Sequence, residues 1–586
     1  MRVTRRGLVR KSCAVVAWFA GSSPAQLFSF TDVTEQAGVE VVHTTGVSPY
    51  LAFLSAGGAA ADFDRDGWCD LFVLGGGGTP DRLFINNRDG TFTDRAPEWG
   101  IDLTQHSFGA SAADFDGDGW IDLYVTSYGP GDAPPAPMQH KLYKNNGPNT
   151  EGQCTFSDRA ASAGVQILLH ENFLNGTGSS WGDIDLDGDL DLGVSAYNHN
   201  QAGNRVYLNN GDGTLTDATA ELGLEFNQVQ GFMPAWVDFN NDRYPEYMLI
   251  GDTGSSRYYV NNGPGPDGAL SFTEIEAVGD AFNNAMGFAT GDVNNDGLLD
   301  MYVSGSYYPF LDGPGNQLMV QQPDGSFVDM ATEPGVLNGG WAWGVLINDF
   351  DHDGLADVLS TNGFGPLWVG EQTYLWKNMG GLVFVEDAIA SGLEHLLMGR
   401  GAISLDYDND GDMDIAIFAS GGSFKLYRNN LTAPGEPTPA GANWLRVELD
   451  TSERESLAPQ GIGSLVTVQT SAGRFIDSID NQASHCSTGQ VGGHFGLGEA
   501  DVLEAVQIRW NDGSYTTLVD VPANQILTVR AGFHPADVDG SGALTIDDIL
   551  AFVQAFGEGS LVADQDGDWR LTFDDVLRFL HWYLSE

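Results

Sequence analysis

Residues 62–70 read DFDRDGWCD, with an acid at positions 1, 3 and 5, a glycine at 6 and a further acid at 9. The pattern returns as DFDGDGWID (114–122), DIDLDGDLD (183–191), DFNNDRYPE (238–246), DVNNDGLLD (292–300), DFDHDGLAD (349–357) and DYDNDGDMD (406–414). Alternate residues in a tight turn can each point an oxygen at one centre, and glycine at position 6 permits the bend; an all-oxygen set of this kind suits calcium, with its 6 to 8 ligands, better than magnesium or zinc. The expected ligands are Asp62, Asp64, Asp66 and Asp70; Asp114, Asp116, Asp118 and Asp122; Asp183, Asp185, Asp187 and Asp191; Asp292, Asn294, Asp296 and Asp300; Asp349, Asp351, Asp353 and Asp357; and Asp406, Asp408, Asp410 and Asp414. The fourth loop offers Asp238, Asn240, Asp242 and Glu246, but Arg243 replaces the glycine and Pro245 follows, so turn and charge both count against occupancy. So many carboxylates in single turns repel one another without a cation, which couples metal binding to folding and makes the calcium structural.

Around each loop the chain repeats a short strand ending in an acid (Phe30-Thr31-Asp32, Phe92-Thr93-Asp94) and an apolar strand running into an amide pair (LFINN at 83–87, LYRNN at 426–430). Segments after the loops, such as DLFVLG and DMYVSGS, alternate as half-buried strands do. A repeat of about 50 to 60 residues, all β and Gly-rich at its turns, must be covered by its neighbours, as in propeller blades. The first unit lacks an amide-pair strand before it and the last lacks a Phe-Thr-Asp strand after it. Pairing of these ends closes the array without an exposed edge. The expected fold is mainly β: a seven-bladed β-propeller over 26–430, then a small all-β domain and a small α-helical, EF-hand-like domain.

The remaining composition fits this plan. Against 26 basic residues stand 80 acidic ones, a formal net charge of -54, which argues against a nucleic-acid partner or an anionic membrane surface. Residues 1–25 read as an export signal, with basic residues from Arg2 to Lys11, an apolar run from Cys13 to Ala20 and Ser23-Pro24-Ala25 as the small-residue site. No later stretch is long and apolar enough to insert in a membrane, so a secreted or cell-surface location is expected. Cysteine spacing suggests neither a disulfide framework nor zinc.

The loops with Phe108-Gly109, GFATGD and WGVLINDFDHDG before them resemble the FG-GAP/VCBS repeats of integrin α-subunits, in which the loops bind calcium on one rim and the other rim often takes partners. After a Pro-rich linker, 431–441, residues 442–531 resemble an ASPIC/UnbV domain through Asn443-Trp444-Leu445, Gly461-Ile462-Gly463, His494-Phe495-Gly496-Leu497-Gly498 and Trp510-Asn511-Asp512-Gly513. The combination is similar to the cartilage acidic protein family, which implies a matrix or surface protein. Residues 532–586 hold two loop-helix units with candidate ligands Asp537, Asp539, Ser541, Thr545 and Asp548, then Asp564, Asp566, Asp568, Thr572 and Asp575; the duplication resembles a dockerin, although Trp569 stands where the turn glycine belongs. That resemblance implies a cohesin-type receptor, and a calcium-stabilised cap with no partner stays open.

No catalytic residue is assigned. Gly178-Ser179-Ser180-Trp181-Gly182 matches G-x-S-x-G but falls on a strand entering the third acidic loop, not on a strand-turn-helix elbow. The histidines show no zinc spacing, and His352 is expected at the surface. The reading is an extracellular calcium-binding adhesion or scaffold protein with a glycan or surface-protein ligand; a secreted lyase or hydrolase, or a lectin, remains the alternative, with the insertions at 129–140 and 168–175 as the places for a site.

Overall fold

The computed structural model describes residues 28–44, 53–128, 139–167, 176–197, 203–279, 281–282, 284–307, 315–364, 370–434, 437–481, 483–532, 534–538, 540–541 and 543–584. The export signal, most of the insertion at 129–140, all of that at 168–175, and Asp539 lie outside the described residues.

From Phe30 to Asn429 each repeat folds as four antiparallel strands, with the acidic loop joining the first two. In the sixth repeat these are Ala342–Asn348, Asp357–Asn362, Tyr374–Asn378 and Phe384–Glu386. The last repeat lacks a fourth strand of its own and receives Phe30–Asp32, which pairs antiparallel with Lys425–Asn429 in the register Phe30↔Asn429 and Asp32↔Tyr427. None of these sheets closes on itself; they contact one another through their first strands in sequence order, and Gly399–Leu405 of the seventh lies against Gly58–Ala61 of the first.

Each interface between successive sheets has its own apolar core. Phe63, Phe72 and Leu83 meet Ile121, Leu123 and Val125 between the first and second; Leu71 and Phe84 meet Ile403, Leu405 and Ala416 between the first and seventh. Burial of each sheet therefore depends on both neighbours, so one unit is not stable alone.

The amide pairs add a polar clasp. The first amide of each pair donates to the carbonyl of the second loop residue in the preceding sheet: Asn145 to Phe63 O at 2.9 Å, Asn209 to Phe115 O at 2.8 Å, Asn378 to Val293 O at 2.8 Å, Asn429 to Phe350 O at 2.9 Å. Asn86 of the first sheet donates to Tyr407 O of the seventh at 2.7 Å.

Residues 443–530 form two sheets, Asn443–Asp450 with Gly493–Gly498 and Gln525–Arg530, and Ser464–Gln469 with Arg474–Ile479, Val502–Arg509 and Tyr515–Pro522, across a core of Leu445, Val466, Ile508 and Trp510. One hairpin leaves this domain. Its strands Ala483–Ser484 and Ser487–Thr488 join the first sheet of the repeat array, with Thr488 beside Ala59. The hairpin sits among the first strands of the first, second, fourth, fifth, sixth and seventh sheets: His485 places Nδ1 2.8 Å from Met286 O and Nε2 3.0 Å from Leu54 O, and Asn481 donates to Ala112 O at 2.8 Å. Glycines make the room, since a Cβ on Gly57 would lie 2.0 Å from Cys486 O and one on Gly401 2.0 Å from Ser487 Oγ. Gly109 and Gly344, each within the first strand of its sheet, also face the hairpin, where an added Cβ would lie 3.2 Å from Cys486 Cα and 3.0 Å from Ser484 Oγ.

The tail packs helices Ile546–Glu558 and Phe573–Tyr583 around Ala536, Phe552, Ala563 and Phe579, with the Phe552 and Phe579 rings stacked at 4.2 Å. Thr545 and Thr572 cap the two helices, each paired with an acid three residues on (Asp548, Asp575) in a capping box. No described helix is long and apolar enough to cross a membrane.

Candidate metal centres

The acidic loops share one hydrogen-bond plan that divides the acids by role. The first acid caps the turn: Asp114 accepts from Asp118 N at 3.1 Å and Gly119 N at 2.7 Å, and Asp349 from Asp353 N at 3.2 Å and Gly354 N at 2.7 Å. The ninth ties the loop to its sheet. Asp70 accepts from Phe63 N at 2.9 Å and Asn86 N at 2.7 Å; Asp357 does the same with Phe350 and Asn378. Sequence spacing marked these acids only as ligands, because an acid that accepts main-chain N–H groups looks the same in a motif as one that faces a metal.

The third position behaves differently. Asp64, Asp116, Asp185, Asp351 and Asp408 each bury an Oδ1 that has no hydrogen-bond partner. An unpartnered buried carboxylate oxygen is costly, and its recurrence at one position of five loops makes that oxygen a candidate ligand atom for a cation in each. In the same loops, ligand atoms from Asp62, Asp64 and Asp66, from Asp114, Asp116 and Asp122, from Asp183, Asp185 and Asp191, from Asp349, Asp351 and Asp353, and from Asp406, Asp408 and Asp414 lie within 4.8 Å of one another. Burial first, then the neighbouring carboxylates, pushes Asp64 up to about 6, Asp114 to about 7, and Asp183 and Asp349 to about 8.

The two loops with asparagine at the third position close on themselves. Asn294 donates to Asp296 Oδ2 at 3.0 Å, and Asn240 to Glu246 Oε1 at 2.6 Å. In the fifth loop no basic side chain among the described residues forms an ion pair with the acids, and a turn of the carboxamide restores an oxygen donor. In the fourth, Arg509 of the second domain reaches in, with Nη2 2.7 Å from Asp238 Oδ2 and Nη1 donating to Asn241 O at 3.1 Å. The expectation that Arg243 spoils this turn is not met: Arg243 takes the left-handed conformation of the glycines it replaces, φ 81° against 85° to 98° for Gly67, Gly119, Gly188, Gly297, Gly354 and Gly411, and its guanidinium is held by Asp512 O at 2.7 Å. Charge contributed by the second domain, and not the turn, is what sets this loop apart.

That domain covers the loop end of the array. Asn511 donates to Asp183 Oδ2 at 2.8 Å, and Arg446 forms a buried ion pair with Asp406 at 2.8 Å. His352, expected at the surface, is fully buried because Ala442, His494 and Gly496 lie on the sixth loop: its Nδ1 is 3.0 Å from Ala442 O and its ring packs against His494. Ser179 and Ser180 lie on a buried strand, with Ser179 Oγ 2.7 Å from Ser111 Oγ, so the G-x-S-x-G match forms no elbow.

In the tail, Asp564 accepts from Trp569 N at 3.0 Å and Gly567 N at 2.9 Å, while Asp575 accepts from Gln565 N at 2.8 Å and Thr572 N at 2.6 Å. Trp569 adopts φ 64° in the glycine position and stacks on Arg474 of the second domain, 4.4 Å from the ring centroid. In the first tail loop Asp537 accepts from Ser541 N at 3.0 Å and Asp548 from Thr545 N at 2.7 Å.

Comparison with known proteins agrees with these two parts of the chain. The FG-GAP-like repeat model matches residues 62–125, 183–249 and 238–303, and the ASPIC and UnbV model matches 454–534. Cartilage acidic protein 1 of Mus musculus is 24% identical over 519 residues, covering 83% of this chain and 75% of the relative. The Homo sapiens protein of the same name is 23% identical over 543 residues, 89% and 70% of the two chains, and that of Xenopus tropicalis 25% over 501 residues, 79% and 71%. The chain is thus a mainly β protein that carries FG-GAP repeats and an ASPIC/UnbV domain and is homologous to cartilage acidic protein 1.

Proposed function

We propose that the seven sheets are the blades of a β-propeller stiffened by calcium in loops one, two, three, five, six and seven, and that the chain is an exported, non-catalytic scaffold attached through its dockerin-like tail. The observation that carries the reading is the buried, unpartnered third-position oxygen of five loops. Calcium bound there supplies positive charge and oxygen coordination that hold the turn. Sites of extracellular modules commonly work at millimolar calcium, which suits export. Because the second domain covers the loop end and its hairpin fills the centre, ligands such as a glycan or a surface protein are left the opposite end, the outer sheet edges and the tail.

The tail offers a repeated apolar face. Ile546, Leu550 and Val553 of the first helix and Phe573, Leu577 and Leu580 of the second are exposed, at matching positions of the two loop-helix units. This supports attachment to a cohesin-type receptor.

Loop occupancy separates by mutation. Asp351→Asn is expected to remove one calcium ion per chain, whereas Asp238→Asn is expected to remove none, since Arg509 fills that loop; native mass spectrometry of the intact chain reads both. The scaffold reading is tested by presenting the purified protein with polysaccharides and matrix proteins. Calcium-dependent retention without product is the expected result, and release of oligosaccharides would overturn it in favour of an enzyme.

A further inference from the structure

Loop seven carries a fifth acid, Asp412, at its seventh position, outside the alternating donor set. All five of its aspartates are buried, with Asp410 the most exposed at 9%. In loops one, two and six the second oxygen of the fifth-position acid faces a basic side chain: Asp66 Oδ2 accepts from Arg88 Nε at 2.7 Å, Asp118 Oδ2 from Lys144 at 2.7 Å, and Asp353 Oδ2 lies 3.7 Å from Lys377, the two lysines pairing also with Asp116 and Asp351.

In loop seven no lysine or arginine among the described residues bonds Asp410 or Asp412; Arg446 pairs with Asp406 instead, and Arg428 acts on Asp410 only at a distance. Arg428 holds the place of Lys144 and Lys377, immediately before the amide pair, but it donates Nε and Nη2 to Asn430 Oδ1 at 3.2 and 3.0 Å. Asp410 meets the Asp412 carboxylate instead, and both Asp410 Oδ2 and Asp412 Oδ1 are buried without a hydrogen-bond partner. The Thr432 hydroxyl adds a third kind of oxygen. It lies 2.8 Å from Asp410 Oδ1, 3.0 Å from Asp410 O and 3.1 Å from Asp412 Oδ2, while Thr432 N donates to Asp412 Oδ2 at 2.7 Å. One hydroxyl proton serves one of those three acceptors, so the others face its lone pairs. The cluster is shielded from solvent by Trp444, whose ring lies where a Cβ on Gly411 would fall, 1.9 Å away.

We propose that a second calcium ion binds beside the first in loop seven, held by Asp410, Asp412 and the Thr432 hydroxyl, with the Asp410 carboxylate bridging the two. It stands where lysine or arginine stands in loops one, two and six, and it ties the chain leaving the last blade, Leu431 and Thr432, to the loop that Arg446 and Trp444 cover. The oxygen-only donor set is that of a hard cation, and four or more buried carboxylates beside one buried guanidinium favour a divalent one. This rests on the reading that loop seven holds a first ion.

The test counts calcium on the intact chain by native mass spectrometry, with calcium alone as the probe and circular dichroism to confirm folding. Asp412→Asn is expected to lose one ion relative to wild type, and Thr432→Val, which keeps the acids, to bind that ion at least 10-fold more weakly. Asp189→Asn, the partly buried acid at the same position of loop three, is expected to change nothing. An Asp412→Asn chain with the wild-type count, or, where that variant does not fold, a Thr432→Val chain with wild-type affinity at every site, overturns the second ion. If Asp351→Asn also leaves the count unchanged, the calcium reading of the loops falls with it; if Asp351→Asn loses its ion and Asp412→Asn does not, only the second ion falls.

Discussion

Removing calcium with a chelator at pH 8 is expected to lower the unfolding midpoint of the intact chain by about 15 °C, because a site saturated at 100 times its dissociation constant contributes about 2.7 kcal/mol and six such sites together match the whole stability of a typical domain. The pH dependence of that loss has a definite sign. Without calcium, burial holds Asp114 up at about 7 and Asp183 and Asp349 at about 8, against 3.8 for a free aspartate. The folded chain then keeps protons that the unfolded chain releases. Stability from these groups is full below pH 3.8 and is lost as pH rises through 7 to 8. In chelator the midpoint is therefore expected to fall from pH 5 to pH 8, while in millimolar calcium, where the cation replaces the protons, this fall is expected to disappear. Thermal melts at both pH values with and without chelator decide it, and a midpoint indifferent to the chelator would count against coupled folding.

Gly401→Val is expected to dislodge the hairpin. A Cβ at this position would lie 2.0 Å from Ser487 Oγ and 2.8 Å from His485 O, and the second contact is main chain, which cannot swing away. Overpacking of this kind costs about 3 kcal/mol. If that cost falls on the docked hairpin, local opening becomes ~100-fold more frequent. Cys486, 2% exposed at the tip, reports it: its labelling by a thiol reagent under native conditions is expected to accelerate by that factor, while Cys69, buried in the interface between the first and seventh sheets, stays protected. Equal labelling of Cys486 in both proteins would show that the hairpin does not depend on the glycine.

The acidic loops and the hairpin differ in how plainly the sequence shows them. The acid alternation, the strand pattern after each loop and the complementary ends are local signals, and Phe30–Asp32 does pair with Lys425–Asn429. The amide pairs were visible as a repeat, but their bond to the preceding sheet was not, because the acceptor is a main-chain carbonyl that any residue supplies. The hairpin was hidden for a similar reason. Residues 481–489, NQASHCSTG, carry no apolar alternation, and the room for the hairpin comes from Gly57, Gly109, Gly344 and Gly401, drawn from several sheets.

Long-range charge was the other blind spot. Arg243 is written inside loop four and drew attention there, yet the guanidinium that contacts Asp238 belongs to Arg509. His352 reads as a surface residue until Ala442 and His494 are placed on it. A usable hint existed: in a chain with few basic residues, Arg446, Arg454 and Arg509 fall in one small domain, and that domain lies over the acidic loops.

Calcium content of the intact chain, measured by elemental analysis after equilibrium dialysis at about 1 mM free calcium, bears most directly on the structural role assigned to the acidic loops. About six ions from the repeat loops, one more from Asp412, and any carried by the tail are expected; a total of two or fewer would contradict that role.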